Sequence, residues 1–435
     1  DQIEMLNFIS LPQMAYTLFL KNWHKSEEYP LYTIENKETY KIINSSIFGG
    51  NCQVFKKTTS EGFNASYDEN SLYPAACRLM LPYGESTFSN NCQQLLEAFR
   101  TISRQENLKP HEERYSTKTL YELDPKDPYQ FTGFVRCSLY FTKEQKEKMK
   151  AFPPIPSRNG SKMVYTLYEH ENYCIWGEFL KYLLENDFCT LYTVFEVAEM
   201  KVGYVMRDFI DYIVEKRQQA TNEFYRIKAK KKRLQKNGYS DERKNKLNEK
   251  KRKAKTERDV NKNIINSCYG KTMQSDEKYN ESLIVFNEKE FLSKVKGKQI
   301  MNFNILARPE GDFKGSVEVK LKKQNVSIKA PKYLASAILG YSKMIMLDFI
   351  YNCLWATYSQ EEAFINYTDT DSVYISVKVS NEEEFMSRFS LTLKERYFAK
   401  PNSVFPGVMK VEKIIQKGIF LQCKLYVLVV NDKKK

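Results

Sequence analysis

Tyr367-Thr368-Asp369-Thr370-Asp371-Ser372 decides how this chain reads. It lies between two apolar runs, Phe364-Ile365 and Val373-Tyr374-Ile375. The pattern predicts two strands, Phe364 to Tyr367 and Ser372 to Val377, joined at Thr368 to Asp371. Two aspartates at i and i+2 on extended backbone point to the same side. Carboxylates held that close repel, and each raises the other's pKa unless a cation lies near. A divalent ion that prefers oxygen ligands, Mg²⁺ above all, is the natural remedy. A polar hairpin tip also reads this way, so the aspartates need partners elsewhere in the chain.

A third aspartate stands about 300 residues upstream, in Tyr67-Asp68-Glu69-Asn70-Ser71-Leu72-Tyr73-Pro74. Asp68 ends a strand-like run. Pro74 lacks an N–H, so a regular central strand stops there. The backbone N–H groups of such a turn can hold phosphate oxygens, and Tyr73 would stand beside a bound sugar. Plain packing explains a Tyr before Pro equally well.

The remaining chemistry is helical. In Lys262-Asn263-Ile264-Ile265-Asn266-Ser267-Cys268-Tyr269-Gly270-Lys271, Lys262, Asn266, Tyr269 and Gly270 fall at i, i+4, i+7 and i+8, one face of a helix. Arg258 extends that face by a turn. A cation, an amide, a ring and a gap suit a triphosphate, a sugar and a base, although a helix that merely ends at a glycine shares the pattern. Three such motifs in this order seldom arise by chance.

The rest of the chain sets limits. Its 435 residues, 42% hydrophobic, suffice for two or three packed units. The net charge of +14 fits a polyanionic partner, an anionic membrane or a soluble surface. Nine cysteines contain no CxxC pair and read as reduced, buried thiols of an intracellular protein. His24, His111 and His170 are scattered, against a histidine-based metal site or triad. Tyr333 to Tyr358 is the longest apolar stretch, but Lys343 and Asp348 interrupt it; an amphipathic buried helix is expected, and no membrane partner. The chain starts at Asp1 and reads as a piece of a longer protein.

Residues 100–165, charged and proline-rich, read as an inserted subdomain with long loops. A helix and a strand are expected over Trp176 to Glu185 and Tyr192 to Val202. From Val205 the period turns helical, and the basic run Arg226 to Arg258 reads as two helices joined at Asn237 to Ser240. That run is either a solvated face or a phosphate contact. Residues 275–330 read as a second insertion, with strand alternation over Gly315 to Leu321, and Val408 to Val430 is strand-like.

The motifs resemble those of the family B DNA polymerases, most closely their protein-primed branch of bacteriophages, adenoviruses, linear plasmids and mobile elements. Asp68 to Pro74 resembles the first palm motif, DxxSLYP. Lys262 to Gly270 resembles the fingers motif, KxxxNSxYG. Tyr367 to Ser372 resembles YxDTDS, and Lys424-Leu425-Tyr426 resembles KxY. The family's YxGG segment is matched only at Gly49 and Gly50, with Ile47 where its Tyr belongs.

The resemblance implies an α+β right-hand polymerase fold: a palm with an antiparallel sheet, helical fingers, two insertions of the protein-priming type and a truncated thumb. The corresponding division is a linker and first palm segment over 1–84, the first insertion and return to the palm over 85–200, and fingers over 201–274. The second insertion spans 275–330, and the second palm segment with the start of the thumb 331–435. No exonuclease fits before Asp68.

It further implies template-directed extension of a primer 3′-hydroxyl with dNTPs on two Mg²⁺ ions, with Mn²⁺ as the alternative, and a terminal protein as primer. Asp68, Asp369 and Asp371 would hold metal, and Lys262 would neutralise the triphosphate. Ser71, Leu72, Tyr73, Arg258, Asn266, Tyr269 and Gly270 would bind the nucleotide. Gly49, Gly50, Lys424 and Tyr426 would contact primer and DNA. A reverse transcriptase or RNA-dependent polymerase, or a non-catalytic nucleic-acid-binding relative, are the rival readings. Nuclear, mitochondrial and virus-infected compartments all fit.

Overall fold

A computed structural model describes residues 8, 10–102, 129–160, 162–237, 241–274, 281–296, 300–308, 315–321 and 330–430. The apolar runs around the two aspartates form β12, Ala363–Asp369, and β13, Ser372–Val377. They pair antiparallel with a bulge between Ile365 and Tyr367. A bulge re-aims the side chains that follow it. Ile365, Val373 and Ile375 therefore join the main core, while Tyr367 and Tyr374 pack on the other face with Ile415, Phe420 and Tyr426. Both faces of the hairpin are covered, which is why its sequence is apolar almost throughout.

β13 pairs with β2, Phe63–Glu69, which in turn pairs with β14, Met409–Gln422. β1, Cys52–Val54, and β15, Leu425–Val430, close the edges, giving the antiparallel order β1-β12-β13-β2-β14-β15. Strands 300 residues apart in sequence thus lie side by side. The strand-like stretch Val408 to Val430 proves to be a hairpin, turned at Cys423-Lys424.

A second antiparallel sheet has the order β3-β8-β4-β7: Leu81–Ser89, Thr190–Gly203, Gly133–Tyr140 and His170–Trp176. The helix Gly177–Glu185 follows β7. A small ribbon pairs β5, Pro156–Asn159, with β6, Lys162–Tyr165. Of the proline-rich stretch 100–165, residues 103–128 lie outside the described residues. From Gly133 onward it is strand, then a helix over Lys143–Met149, then the small ribbon, rather than long loop, and it belongs to the same compact unit as the first sheet, residues 1–272 and 332–435. Pairing of β4 with β8 along its whole length, through two register shifts, explains the difference.

The apolar stretch becomes a helix over Lys332–Leu347, a π-helical turn over Asp348–Leu354 and a last turn over Trp355–Thr357. It is long and apolar enough to cross a membrane, but protein buries it instead. All but one of its first sixteen side chains are buried, so it is a core helix rather than the expected amphipathic one. Its two lysines find oxygen partners. Lys332 Nζ donates to Tyr40 Oη (2.6 Å) and Asn44 Oδ1 (3.1 Å), and Lys343 Nζ to the carbonyls of Phe48 (2.5 Å) and Leu339 (3.2 Å). Burial pushes the Lys343 ammonium pKa down to about 7.

The basic run lies in two long helices, Arg207–Asn237 and Asp241–Cys268, as the helical period predicts; residues 238–240 of the joint are outside the described residues. A second compact unit, Met273–Pro331, stands in the place of the second insertion. It consists of β9, Glu281–Val285, β10, Ile300–Ala307, and β11, Ser316–Leu321, in the order β10-β11-β9, with the helix Glu288–Val295. Its core is small: Val285, Val319 and Leu321.

Candidate active site

β2 brings Asp68 directly opposite Ser372 on β13, with Lys410 of β14 on its other side. The Glu69 N–H donates to the Asp371 carbonyl at 2.7 Å, stitching the two aspartate motifs together. Asp369 and Asp371 do not lie on one extended strand as expected. β12 ends at Asp369, and Thr370 takes a left-handed conformation, φ 65°. A two-residue turn between paired strands demands positive φ, which a β-branched residue adopts only under strain.

The turn gives the two carboxylates different partners, although Asp369 still helps to raise the Asp371 pKa. Asp371 faces Asp68. Asp369 accepts from Lys424 Nζ with both oxygens, at 3.0 and 2.8 Å. Lys424 is itself left-handed, and its N–H donates to Tyr367 Oη at 2.9 Å. Tyr426 packs among Tyr367, Tyr374 and Phe420, with Tyr374 Oη donating to its hydroxyl at 3.0 Å.

The electrostatics follow from this crowding. Burial, then Asp371 and Glu412, push the Asp68 carboxyl up to about 7 against the pull of Lys262 and Lys410. Burial also raises Asp371. Glu69, wholly buried beneath them, is raised to about 8, first by burial and then by Asp68 and Asp371. Among the described residues no three Asp, Glu, His or Cys side chains already converge as a cation cage. The donor set nevertheless fits a hard cation: every donor is a carboxylate oxygen, two are destabilised as anions, and the third already holds a lysine ammonium as counter-charge.

Of the two glycines, Gly50 belongs to this site through packing. A Cβ at Gly50 would stand 2.6 to 2.9 Å from three side-chain atoms of Thr370, whereas one at Gly49 would meet nothing within 4 Å. The Thr370 N–H donates to the Asn51 carbonyl at 2.7 Å, and Lys343 holds the Phe48 carbonyl from the core side. Residues 48–51 thus brace the turn that carries Asp371. Gly50→Ala should push that turn aside and slow primer extension about 100-fold, the cost of misplacing a reacting group by 1 Å. The melting temperature should barely move. Extension rates together with a thermal melt check this; an unimpaired rate refutes the brace.

Opposite the carboxylates stands the helix Asp241–Cys268, with Arg258, Lys262 and Asn266 at four-residue spacing. Lys262 is close enough to lower the pKa of both Asp68 and Asp371. The helix ends at Cys268, and Tyr269–Met273 is a 3₁₀ turn, so Tyr269 and Gly270 are not on a continuing α-helical face as expected. The tighter turn lays the Tyr269 ring on Tyr73, centroids 4.1 Å apart and planes 27° apart. A Cβ at Gly270 would face open space. Asn266 Oδ1 is buried and finds no hydrogen-bond partner among the described residues.

Ser71 is left-handed, φ 55°, at the start of the short helix Leu72–Cys77; Leu72 is buried and Tyr73 half-buried. The Ser71 hydroxyl accepts from Arg217 Nη1 at 2.8 Å. No motif points to Arg217, although it lies one turn past the apolar face of its helix. It is buried, its Nε is unpartnered among the described residues, and Arg258 disfavours its charge after burial does. Asp259 partly offsets the two charges: it accepts from Arg258 Nε and Nη2 at 3.1 and 3.0 Å and favours the Arg217 cation. Glu69 and Glu412 are the other residues the motifs do not reveal.

A family model described as DNA polymerase type B, organellar and viral, matches residues 1–232. The chain belongs to this family. Among solved structures, the type B polymerase chain resembles Phi29 DNA polymerase in an orthorhombic crystal form, with 14% identity and TM-score 0.56. The same enzyme complexed with primer-template DNA and incoming nucleotide substrates matches at 14% and 0.56. Its binary complex with primer-template DNA matches at 13% and 0.54. Each match covers 98% of this chain, which spans about half the length of the solved chains: 56% for the first two and 55% for the third. No curated protein sequence matches this polymerase.

Proposed function

We propose that this chain is the catalytic core of a DNA-directed DNA polymerase that extends a primer 3′-hydroxyl with dNTPs by two-metal phosphoryl transfer. One observation carries the reading: Asp68 on β2 and Asp371 in the turn that leads into the neighbouring β13 are both in electrostatic reach of Lys262 on the opposing helix. In-line transfer to phosphorus asks the protein for positioning and charge neutralisation more than for covalent chemistry.

Divalent ions, Mg²⁺ or alternatively Mn²⁺, held by Asp68, Asp371 and Asp369, would lower the pKa of the attacking hydroxyl and neutralise the triphosphate. Lys262, Arg258 and Arg217 bind its oxygens. Lys262 would give a proton to the leaving pyrophosphate. Asn266 and Gly270 line the new base pair, and Gly49, Tyr426 and Lys424 border the primer path. When Lys424 turns to the primer it frees Asp369. The two-unit architecture supports a protein-primed start, with a terminal protein as partner, and nine free cysteines support an intracellular setting.

The stacked Tyr73 and Tyr269 form the floor under the sugar. Tyr73→Val should therefore raise ribonucleotide incorporation roughly 10- to 100-fold relative to dNTPs, the range for hollowing one contact in a selective pocket. Unchanged discrimination removes Tyr73 from the sugar gate. Extension on matched DNA and RNA templates tests the whole reading. Preference for RNA would make the chain a reverse transcriptase. Folded protein that binds DNA but incorporates nothing with Mg²⁺ or Mn²⁺ would make it a non-catalytic relative.

A further inference from the structure

We propose that the outer half of the two-helix hairpin is a second nucleic-acid site, which grips DNA phosphates outside the catalytic centre without regard to sequence. Residues 226–258 hold sixteen Lys and Arg against four Asp and Glu, a surplus of twelve. The whole chain has a surplus of fourteen. Nearly all of the net charge therefore sits on one projecting element.

The arrangement does not suit a mere solvated face. Exposed helices gain from Glu and Lys alternating at i and i+4. Here Lys228 and Lys232, and Lys246 and Lys250, put like charges at that spacing, which destabilises the helices unless an anion covers them. The apolar seam between the helices is narrow: among the described residues of this stretch only Ile227, Leu247 and Ala254 are buried hydrophobics. Cations surround it on the exposed sides. Aromatic rings lie among them at the base: Lys251 and Arg258 cover Phe224, and Lys228 stands over the exposed Tyr225. Basic side chains interleaved with rings suit a phosphate backbone whose bases can stack.

Distance separates this surface from the triphosphate. Arg217 and Asn237 belong to one helix, and at 1.5 Å per residue the tip lies about 30 Å beyond Arg217. A strand that reaches it has left the catalytic turn, or has not yet arrived. A rigid rod would then couple the position of that strand to Arg217, Arg258 and Lys262 at its root.

The test measures binding alone, without metal or nucleotide, so its failure and the failure of the polymerase reading are distinguishable. Lys228, Lys230, Lys232, Lys250, Arg252 and Lys253 are changed together to glutamine, a good helix former. Circular dichroism checks the fold, and the three-residue set Lys228, Lys230 and Lys232 serves if the larger one unfolds. Fluorescence anisotropy on a labelled single strand and on a duplex, over a salt series, should show at least ~10-fold weaker binding. The slope of log K against log salt should fall by about 0.9 per lost contact on duplex, or 0.7 on a single strand. Loss confined to one of the two DNAs identifies which it grips. Unchanged affinity and slope on both overturn the proposal, as does a loss seen only on anionic vesicles or on an acidic polypeptide.

Discussion

Asp68→Asn abolishes metal-dependent primer extension and, in metal-free buffer, yields a more heat-stable protein. Both effects follow from one carboxylate. Removing it takes away a ligand that Asp371 and Asp369 cannot replace, and the rate should fall by about 10³-fold or more. Stability moves the other way. The Asp68 carboxyl is raised from 3.8 to about 7 by burial and by Asp371 and Glu412. Between those values the folded state binds a proton that the unfolded state has released, so stability falls as pH rises through this window. Above about pH 7 the fold bears the whole cost of an anion it disfavours, and asparagine bears none.

The gap in melting temperature between variant and wild type should open from pH 4 to pH 7 and then stay level. Mg²⁺ should narrow it, because a ligand that binds only the folded state stabilises that state. Asp371→Asn should lose activity in the same way. Near-normal extension by either variant, or a melting gap indifferent to pH, would sink the assignment.

Lys262→Ala should lower the single-turnover rate roughly 10²- to 10³-fold, the usual loss when a preorganised charge aimed at the reacting group is removed. A second readout separates this role from plain nucleotide binding. Lys262 holds the Asp68 pKa down, so its loss lets the carboxyl rise further. The acid limb of the pH–rate profile must then move to higher pH, and Lys262→Arg, which restores the charge, should move it back. An unchanged limb would reduce Lys262 to a binding contact.

The palm was legible where chemistry is local. The apolar runs around Asp369 and Asp371 form strands, and the period after Val205 forms a helix. What stayed hidden arises between distant segments. Arg217 meets Ser71 across 146 positions, and nothing in either neighbourhood points to the other. Gly50 is small because Thr370 occupies its space, a relation no local pattern records. The i, i+2 rule failed at Asp371 because the turn overrides strand alternation. Helical spacing failed at Tyr269 because the chain tightens into a 3₁₀ turn after Cys268. The core helix reads as amphipathic because Lys343 and Asp348 interrupt its apolar run, yet Lys343 is buried and bonded to backbone carbonyls.

Ser71, Thr370 and Lys424 are non-glycine residues in left-handed backbone, and each stands in a turn of the catalytic centre. Such residues cost of order 1–3 kcal/mol apiece, and glycine would remove the cost. Glycine would also remove the hydroxyl that receives Arg217, the methyl that meets Gly50 or the ammonium that holds Asp369. A directed-evolution campaign that selects this enzyme for heat tolerance alone will therefore be drawn to these three codons. The hardier clones it collects there will be the poorer catalysts.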